Sequence, residues 1–169
     1  KITSQGTPDS TFGDNGVHSL GQMSNYAFSG IVSAKDGGIY SVWNHAASFF
    51  TVTGPIIKFD QTGQLDADFG VDGILERSSS LSAWSRGSDV LEDGSIITYR
   101  TENHWTPVLH KYDIYGNPDI GFNGDSIDSE SLNGSTMHLR PDGTIFVAGT
   151  EVDHEPAVGI RLISLKNAI

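Results

Sequence analysis

The chain has 169 residues, 37% of them hydrophobic, with no Cys, 2 Met, and 10 Lys+Arg against 21 Asp+Glu for a net charge of −11. That is one domain's worth of chain, since domains run to ~100–150 residues; disulfide frameworks, thiolate metal sites and cysteine nucleophiles are excluded, and a polyanionic nucleic acid is repelled at long range. No apolar run approaches the ~20 residues of a membrane helix and Lys1-Ile2-Thr3 opens no charged-then-apolar leader, so a soluble chain with no nucleic-acid partner and no membrane insertion is expected.

From the N-terminus, Asp9-Ser10-Thr11-Phe12-Gly13 is the first of three Asp-x-x-Phe turns. Asp66-Ala67-Asp68-Phe69-Gly70 and Asp119-Ile120-Gly121-Phe122-Asn123 follow at steps of 57 and 53 residues, each led three places earlier by a glycine, Gly6, Gly63 or Gly116. Lys1, Lys58 and Lys111 keep the same register, and a second ladder of Asp36-Gly37, Asp93-Gly94 and Asp142-Gly143 sits at steps of 57 and 49. A fixed period of this kind marks a repeat architecture. Gly, at 20 of 169 residues, is well above the usual ~7%, as many tight turns require.

Between the turns the apolar pattern reads as strands. Residues 17–20 form one after the first turn. A hairpin then joins 31–34 to 39–43 across Asp36-Gly37, because Asp-Gly between apolar runs is a strong hairpin signal, with both turn residues expected at positive φ. Strands follow at 55–59 and 74–77, a second hairpin at 89–91 and 96–99, and strands at 108–112 and 126–128. A third hairpin spans 137–139 and 145–148, and a last strand spans 158–162, aligning Arg161 with Lys58 and Lys111. The Ser-rich stretch at 78–80 reads as a loop, and helical periodicity appears nowhere. Four antiparallel strands per ~50 residues make a propeller blade. The expected fold is all-β and β-propeller-like, one domain over 1–169 with three four-stranded blades, its repeat turns at 9–13, 66–70 and 119–123.

The pattern of apolar-Lys-aromatic-Asp, turn Gly, then Leu-Asp-x-x-Phe-Gly-x-x-Gly, clearest from Asp60 to Gly73, resembles the delta-60 repeat of bacterial surface and secreted proteins over nearly the whole chain. The hairpins and the Asn-His loop before Ile57-Lys58-Phe59 resemble the NHL type of propeller repeat less closely. Both resemblances imply a β-propeller, and neither family has one shared activity. The third copy departs from the pattern: Asn123 stands where Gly13 and Gly70 stand, and no Asp-x-x-Phe turn follows Leu165.

The chain starts at the end of a third-type strand and finishes with the first three strands of the last copy. This phase would let the N-terminal strand of one copy close the last blade of another. A homo-oligomeric ring is therefore expected, with six blades from two chains the simplest closure. A three-bladed monomer, a nine-bladed trimer and a piece of a longer array are the competing arrangements.

Asp36, Asp93 and Asp142 are expected in turns, and Asp9, Asp66 and Asp119 beside Phe12, Phe69 and Phe122, which pack between blades. Asp14-Asn15-Gly16 and Asp72-Gly73 loosely resemble calcium loops, but neither has the alternating Asp-x-Asp spacing with a distant Glu of an EF-hand, and calcium stays an open alternative. Binding residues concentrate in loops on a rigid scaffold, and the loops after the hairpins carry Trp43-Asn44-His45, Asn103-His104-Trp105 and Asp153-His154. These eight residues are the expected ligand-binding set, at equivalent places on one rim. An indole beside Asn, Asp and His suits a sugar ring, whose apolar face stacks while its hydroxyls hydrogen-bond. Histidines on separate blades stand too far apart to share a metal with bonds of ~2.0–2.1 Å. His18, His110 and His138 fall inside expected strands as packed or solvated residues, and Trp84 is expected in the core. Asn133-Gly134-Ser135 is a formal glycosylation sequon.

No Gly-x-Ser-x-Gly elbow, no singled-out carboxylate pair and no phosphate-cradling loop occurs. The functional expectation is a non-enzymatic extracellular or cell-surface adhesion module, of fibre-tip type, recognising a glycan or a surface protein of another cell, with no catalytic residue, metal or cofactor. A polysaccharide-acting propeller hydrolase or lyase and a purely structural oligomerisation module are the alternatives.

Overall fold

Alternating apolar runs separated by Asp-Gly and Asx turns give three antiparallel sheets in the computed structural model, which describes residues 1–21, 23–45, 54–77, 84–102, 106–122, 132–151 and 160–165. The first sheet has four strands in the order β1 (Tyr26–Ser33), β2 (Ile39–His45), β3 (Ile56–Phe59) and β4 (Ile74–Leu75). The second has β5 (Trp84–Val90), β6 (Ile96–Glu102) and β7 (Thr106–Tyr112), and the third β8 (Leu132–Leu139), β9 (Ile145–Glu151) and β10 (Ile160–Leu165), with the middle strand of the chain order central in both. The chain is all-β: no helix occurs among the described residues, and so none there is long and apolar enough to cross a membrane.

The expected four-strand unit is present in the first sheet. In the second and third, three strands are described, and the expected strand at 126–128 lies outside the described residues, as does the expected loop at 78–80. Residues 17–20 do not form the expected strand, since only Val17 pairs, in a bridge to Asp14, and no neighbouring strand stands beside it among the described residues. β10 is displaced from its expected alignment. Ser164 pairs with Phe146 as Lys58 pairs with Tyr40 and Lys111 with Ile97, so Ser164, and not Arg161, takes the lysine place in the third copy.

The hairpin turns also differ from expectation in detail. Gly37, Gly94 and Gly143 lie at φ of 87°, 85° and 77°, whereas Asp36, Asp93 and Asp142 keep negative φ. Each turn is a three-residue loop of the type I plus glycine-bulge kind, closed in the first copy by the Gly37 N–H donating to the Ala34 carbonyl. The aspartate is chosen for its oxygen: Asp36, Asp93 and Asp142 accept from the N–H of Gly38, Ser95 and Thr144 at 3.0, 2.9 and 3.0 Å. A β-bulge recurs in the first strand of every sheet, between Phe28 and Gly30, Ser85 and Gly87, and Asn133 and Thr136.

The sheets stack face to face, with β1 against β5 and β5 against β8. Because side chains alternate along a strand, adjacent residues of β6 serve different cores. Ile96 joins Tyr40, Val42, Ile56, Phe69, Val90 and Tyr112 between the first and second sheets. Ile97 and Tyr99 join Leu91, Leu109, Met137, Ile145 and Val147 between the second and third. The Asp-x-x-Phe turns plug these seams as expected. Phe69 is wholly buried, and the Gly70 N–H donates to the Tyr115 carbonyl of the next sheet at 2.8 Å. Phe12 repeats this one step earlier: the Gly13 N–H donates to the Thr62 carbonyl at 2.7 Å, and the Phe12 ring lies so close to Gly63 (φ 81°) that a Cβ there would approach it to 2.9 Å.

Phe69→Ala empties the centre of a seam and is expected to cost about 3–5 kcal/mol, read as a lowered urea midpoint with an unchanged slope. A cost under about 1 kcal/mol would show that the Phe69 side chain does not hold the two sheets together.

Candidate functional site

The lysine ladder is the centre of each repeat. Lys58, on β3, has a side chain only 6% exposed, and its ammonium lies 2.8 Å from Asp36 of the hairpin turn and 2.7 Å from Asp66 of the Asp-x-x-Phe turn. It also stands over the Tyr40 ring at 5.6 Å. Lys111 repeats the arrangement more loosely, at 3.6 Å from Asp93 and 3.4 Å from Asp119, and Lys1 lies 3.1 Å from Asp9. Burial lowers the proton affinity of Lys58, but its hydrogen bonds to Asp36 and Asp66 outweigh that and raise its pKa above the usual lysine value. Desolvation likewise pushes Asp36 up, while the Lys58 ammonium and the Gly38 N–H hold it below the ordinary carboxylate range.

Next to this clamp a cleft of about 480 Å³ opens at the seam of the first two sheets, on the rim that carries the Asp-Gly turns. Its floor is Tyr40, whose hydroxyl donates to the Gly94 carbonyl across the seam at 3.3 Å. Asp36, Lys58, Asp66 and Asp68 form one wall, and Asp93, Ile114 and Tyr115 the other. Lys35 bridges the seam to Glu92 at 2.9 Å. Tyr115 is 56% exposed and Ile114 40%, so the second wall presents an aromatic and an aliphatic surface to solvent. A volume in this range is usual for small-molecule sites, and the lining offers carboxylate acceptors, two ammonium donors and a ring face. Among the described residues no three His, Asp or Glu side chains converge as metal ligands.

Of the expected loop-rim set, Trp43, Asn44 and His45 lie at the opposite end of β2. Asn103, His104, Trp105, Asp153 and His154 fall outside the described residues. Asn44 is buried and engaged with the second sheet: its amide donates to the Ser85 carbonyl at 3.2 Å and its oxygen accepts from the Ser85 N–H at 2.7 Å. The Trp43 ring is half-buried, edge-on to Phe28 at 5.4 Å, and the Trp43 carbonyl accepts from Arg77 at 2.9 Å. His45 packs edge-on to Tyr26 at 5.3 Å. Register also separates the loops. Asn44 pairs with Ala27 as Thr101 pairs with Trp84, so the second sheet carries Thr101 and Glu102 where the first carries Asn44 and His45, and Asn103-His104 comes two places later.

The other single residues resolve as follows. Trp84 is 37% exposed at the start of β5 rather than in the core. His18 packs edge-on against Phe59, and His138 is exposed, 3.6 Å from Asp89. Arg77 escaped the sequence reading. Almost wholly buried, it donates from Nε to the Gly54 carbonyl at 2.7 Å, and burial pulls it down to about 10. Lys58 and Tyr115 were missed as site residues too, although the lysine ladder that marks the register was the available signal. Comparison with protein-family models, curated proteins and solved structures finds no match.

Lys58→Met leaves Asp36 and Asp66 facing each other without a cation, and is expected to destabilise by about 2 kcal/mol, below the ~3–5 of a fully buried broken pair because Asp36 keeps solvent. Lys111→Met, with longer contacts, should cost about half as much; equal costs would show that ion-pair geometry does not set the difference.

The pH profile follows from the aspartates. Asp9 is lowered to about 2, chiefly by its hydrogen bond from Thr11, and Asp36, Asp60, Asp93, Asp113, Asp119 and Asp142 are all held below the ordinary 3.8. Such groups contribute stability above their unfolded pKa and lose it as pH falls through the folded one. Lys58, being raised, contributes below its unfolded value of 10.5 and loses that only as pH rises through its folded value. The melting temperature should be level from about pH 5 to about pH 9 and fall between about pH 4 and about pH 2; a level profile down to about pH 2 would contradict this.

Proposed function

We propose that the three sheets are blades of a β-propeller of the delta-60 kind, and that the chain is a non-enzymatic extracellular or cell-surface module that binds a glycan or glycosylated surface ligand. The observation that carries this reading is the cleft between the first two sheets. Its shape is concave, and Tyr115 supplies an exposed ring face beside the carboxylates of Asp36, Asp68 and Asp93. Sugar hydroxyls donate well to fixed carboxylates, while the apolar face of a pyranose stacks on an aromatic ring. A general acid needs a raised carboxyl pKa. Asp36 and Asp93 are instead lowered, and such groups act as permanent acceptors. The face-to-face sheets, the recurring bulge and the seam-plugging Phe turns support the propeller part of the proposal.

Tyr115→Ala removes the ring and leaves the backbone carbonyl that Gly70 needs. On a glycan array the wild-type chain is expected to retain a saccharide, and Tyr115→Ala to lose it by roughly 10-fold or more, with the melting temperature unchanged. Loss of the saccharide in a Trp105→Ala/His104→Ala variant, with Tyr115→Ala still binding, would move the site to the loop rim. A silent array would remove the glycan reading.

A further inference from the structure

We propose that the cleft between the first two sheets selects a cationic amino sugar, whose free ammonium group faces Asp68 and the Tyr115 ring. The inference rests on the glycan reading of the same site and names the class of sugar. Its first support is charge. Four carboxylates line the cleft, Asp36, Asp66, Asp68 and Asp93, against two ammonium groups, Lys35 and Lys58. Both lysines are engaged, Lys58 by Asp36 and Asp66 and Lys35 by Glu92, and Asp93 has Lys111 at 3.6 Å. Asp68 is left over: among the described residues its carboxylate has neither a cation partner nor a hydrogen-bond donor.

The second support is that the repeat needs neither side chain. Asp68 stands third in its Asp-x-x-Phe turn, where the first copy has Thr11 and the third Gly121. In all three copies the backbone N–H at that place donates to the leading aspartate, at 3.0 Å from Thr11, 3.1 Å from Asp68 and 3.0 Å from Gly121. The turn is thus closed whatever the side chain, and the Asp68 carboxylate has no part in it. Tyr115 likewise takes the place of Thr62: each lends its carbonyl to the glycine that follows a Phe anchor, Gly70 in one case and Gly13 in the other. The carbonyl does the structural work, and the residue is 56% exposed. Both side chains that the repeat does not require line one cleft.

The chain itself shows how such groups house an ammonium. Lys58 stands between Asp36 and Asp66 with its charge over the Tyr40 ring at 5.6 Å. Further out, the cleft offers the same kinds of group, a carboxylate at Asp68 and an aromatic face at Tyr115, with no ammonium of the chain paired to Asp68. A neutral sugar laid over Asp68 takes a carboxylate out of water against hydroxyl donors alone, which leaves its charge uncompensated. An ammonium group compensates it and is also drawn to the face of a neighbouring ring. A sugar acid brings a like charge to an acidic lining, which costs affinity. The free amine therefore sets the preference among sugars that fit the cleft.

The test titrates the whole chain by calorimetry at about pH 6, where an amino group of this kind is protonated and Asp36 and Asp93, both held below the ordinary carboxylate range, are ionised. The probes are a trisaccharide of glucosamine and the same trisaccharide N-acetylated. The free-amine form should bind roughly 10-fold more tightly, as one exposed ion pair and one cation–π contact together allow. Asp68→Asn should bring the two forms to within about 3-fold of each other. Where Asp68→Asn does not fold by circular dichroism, Asp68→Thr, which supplies the residue type of Thr11, replaces it. Glu76→Gln removes an equal charge from an exposed place outside the cleft and should keep the preference. Equal or weaker binding of the free-amine form overturns the inference, as does a preference that survives in Asp68→Asn. So does a preference that Glu76→Gln lowers as much, since that is general attraction to a chain of net charge −11. With neither form bound the inference falls too: a neutral saccharide held on the array then leaves the glycan reading standing, and a silent array removes both.

Discussion

The buried lysine ties together three pieces of chain that sequence keeps apart. Lys58 sits on β3, Asp36 in the hairpin turn before it and Asp66 in the Asp-x-x-Phe turn after it. Taking an ammonium out of water costs several kcal/mol, and one carboxylate in a partly wet site returns only part of that. Two carboxylates within 2.8 Å, with backbone donors fixing the aspartate positions, make the burial tolerable. The backbone reinforces it: the Asp66 N–H donates to the Lys58 carbonyl and the Lys58 N–H to the Gly73 carbonyl. Fixing this turn against β3 aims Phe69 into the seam, where it meets Tyr40 and the core of the second sheet. Without the clamp the anchor would have no defined direction.

The same constraint accounts for the acidity of the chain. Asp9, Asp36, Asp60, Asp66, Asp93, Asp113, Asp119 and Asp142 each accept a hydrogen bond from the N–H two residues on. A β protein of short strands needs many turns, and Asx turns satisfy backbone donors that no ladder reaches. Much of the excess of Asp+Glu is therefore structural. Its self-repulsion is met locally by Lys1, Lys58 and Lys111, which each face aspartate from a turn.

The repeat spacing, the three hairpins and the Phe anchors were legible in the sequence because each rests on a local rule: period-two alternation, Asp-Gly turns, and a Phe at fixed offset. What the sequence left open depends on neighbours. Residues 17–20 alternate like a strand but, among the described residues, pair only through the Val17–Asp14 bridge, and β10 slides three places because pairing with β9 sets its register. The residues of the candidate site were less legible. Asn44 looks like a ligand-binding residue by type and position, yet its amide faces inward and matches the Ser85 backbone across the seam. Tyr115 looks like an ordinary turn residue. Only the approach of the second sheet to the first turns it into a cleft wall.

These placements also separate two uses of aromatic surface. Phe28 and Trp43 lie on a sheet face, flat and continuous with strands, at places whose counterparts in the next sheet are buried. A flat face of this kind gains most from another sheet, because pleated surfaces interdigitate over a large area. Tyr115 lies on a turn at the mouth of a concavity, beside fixed carboxylates. A concave mixed surface gains most from a small polar ligand whose hydroxyls meet acceptors that stay charged. The two surfaces differ in shape, one flat along a sheet and the other concave at a seam.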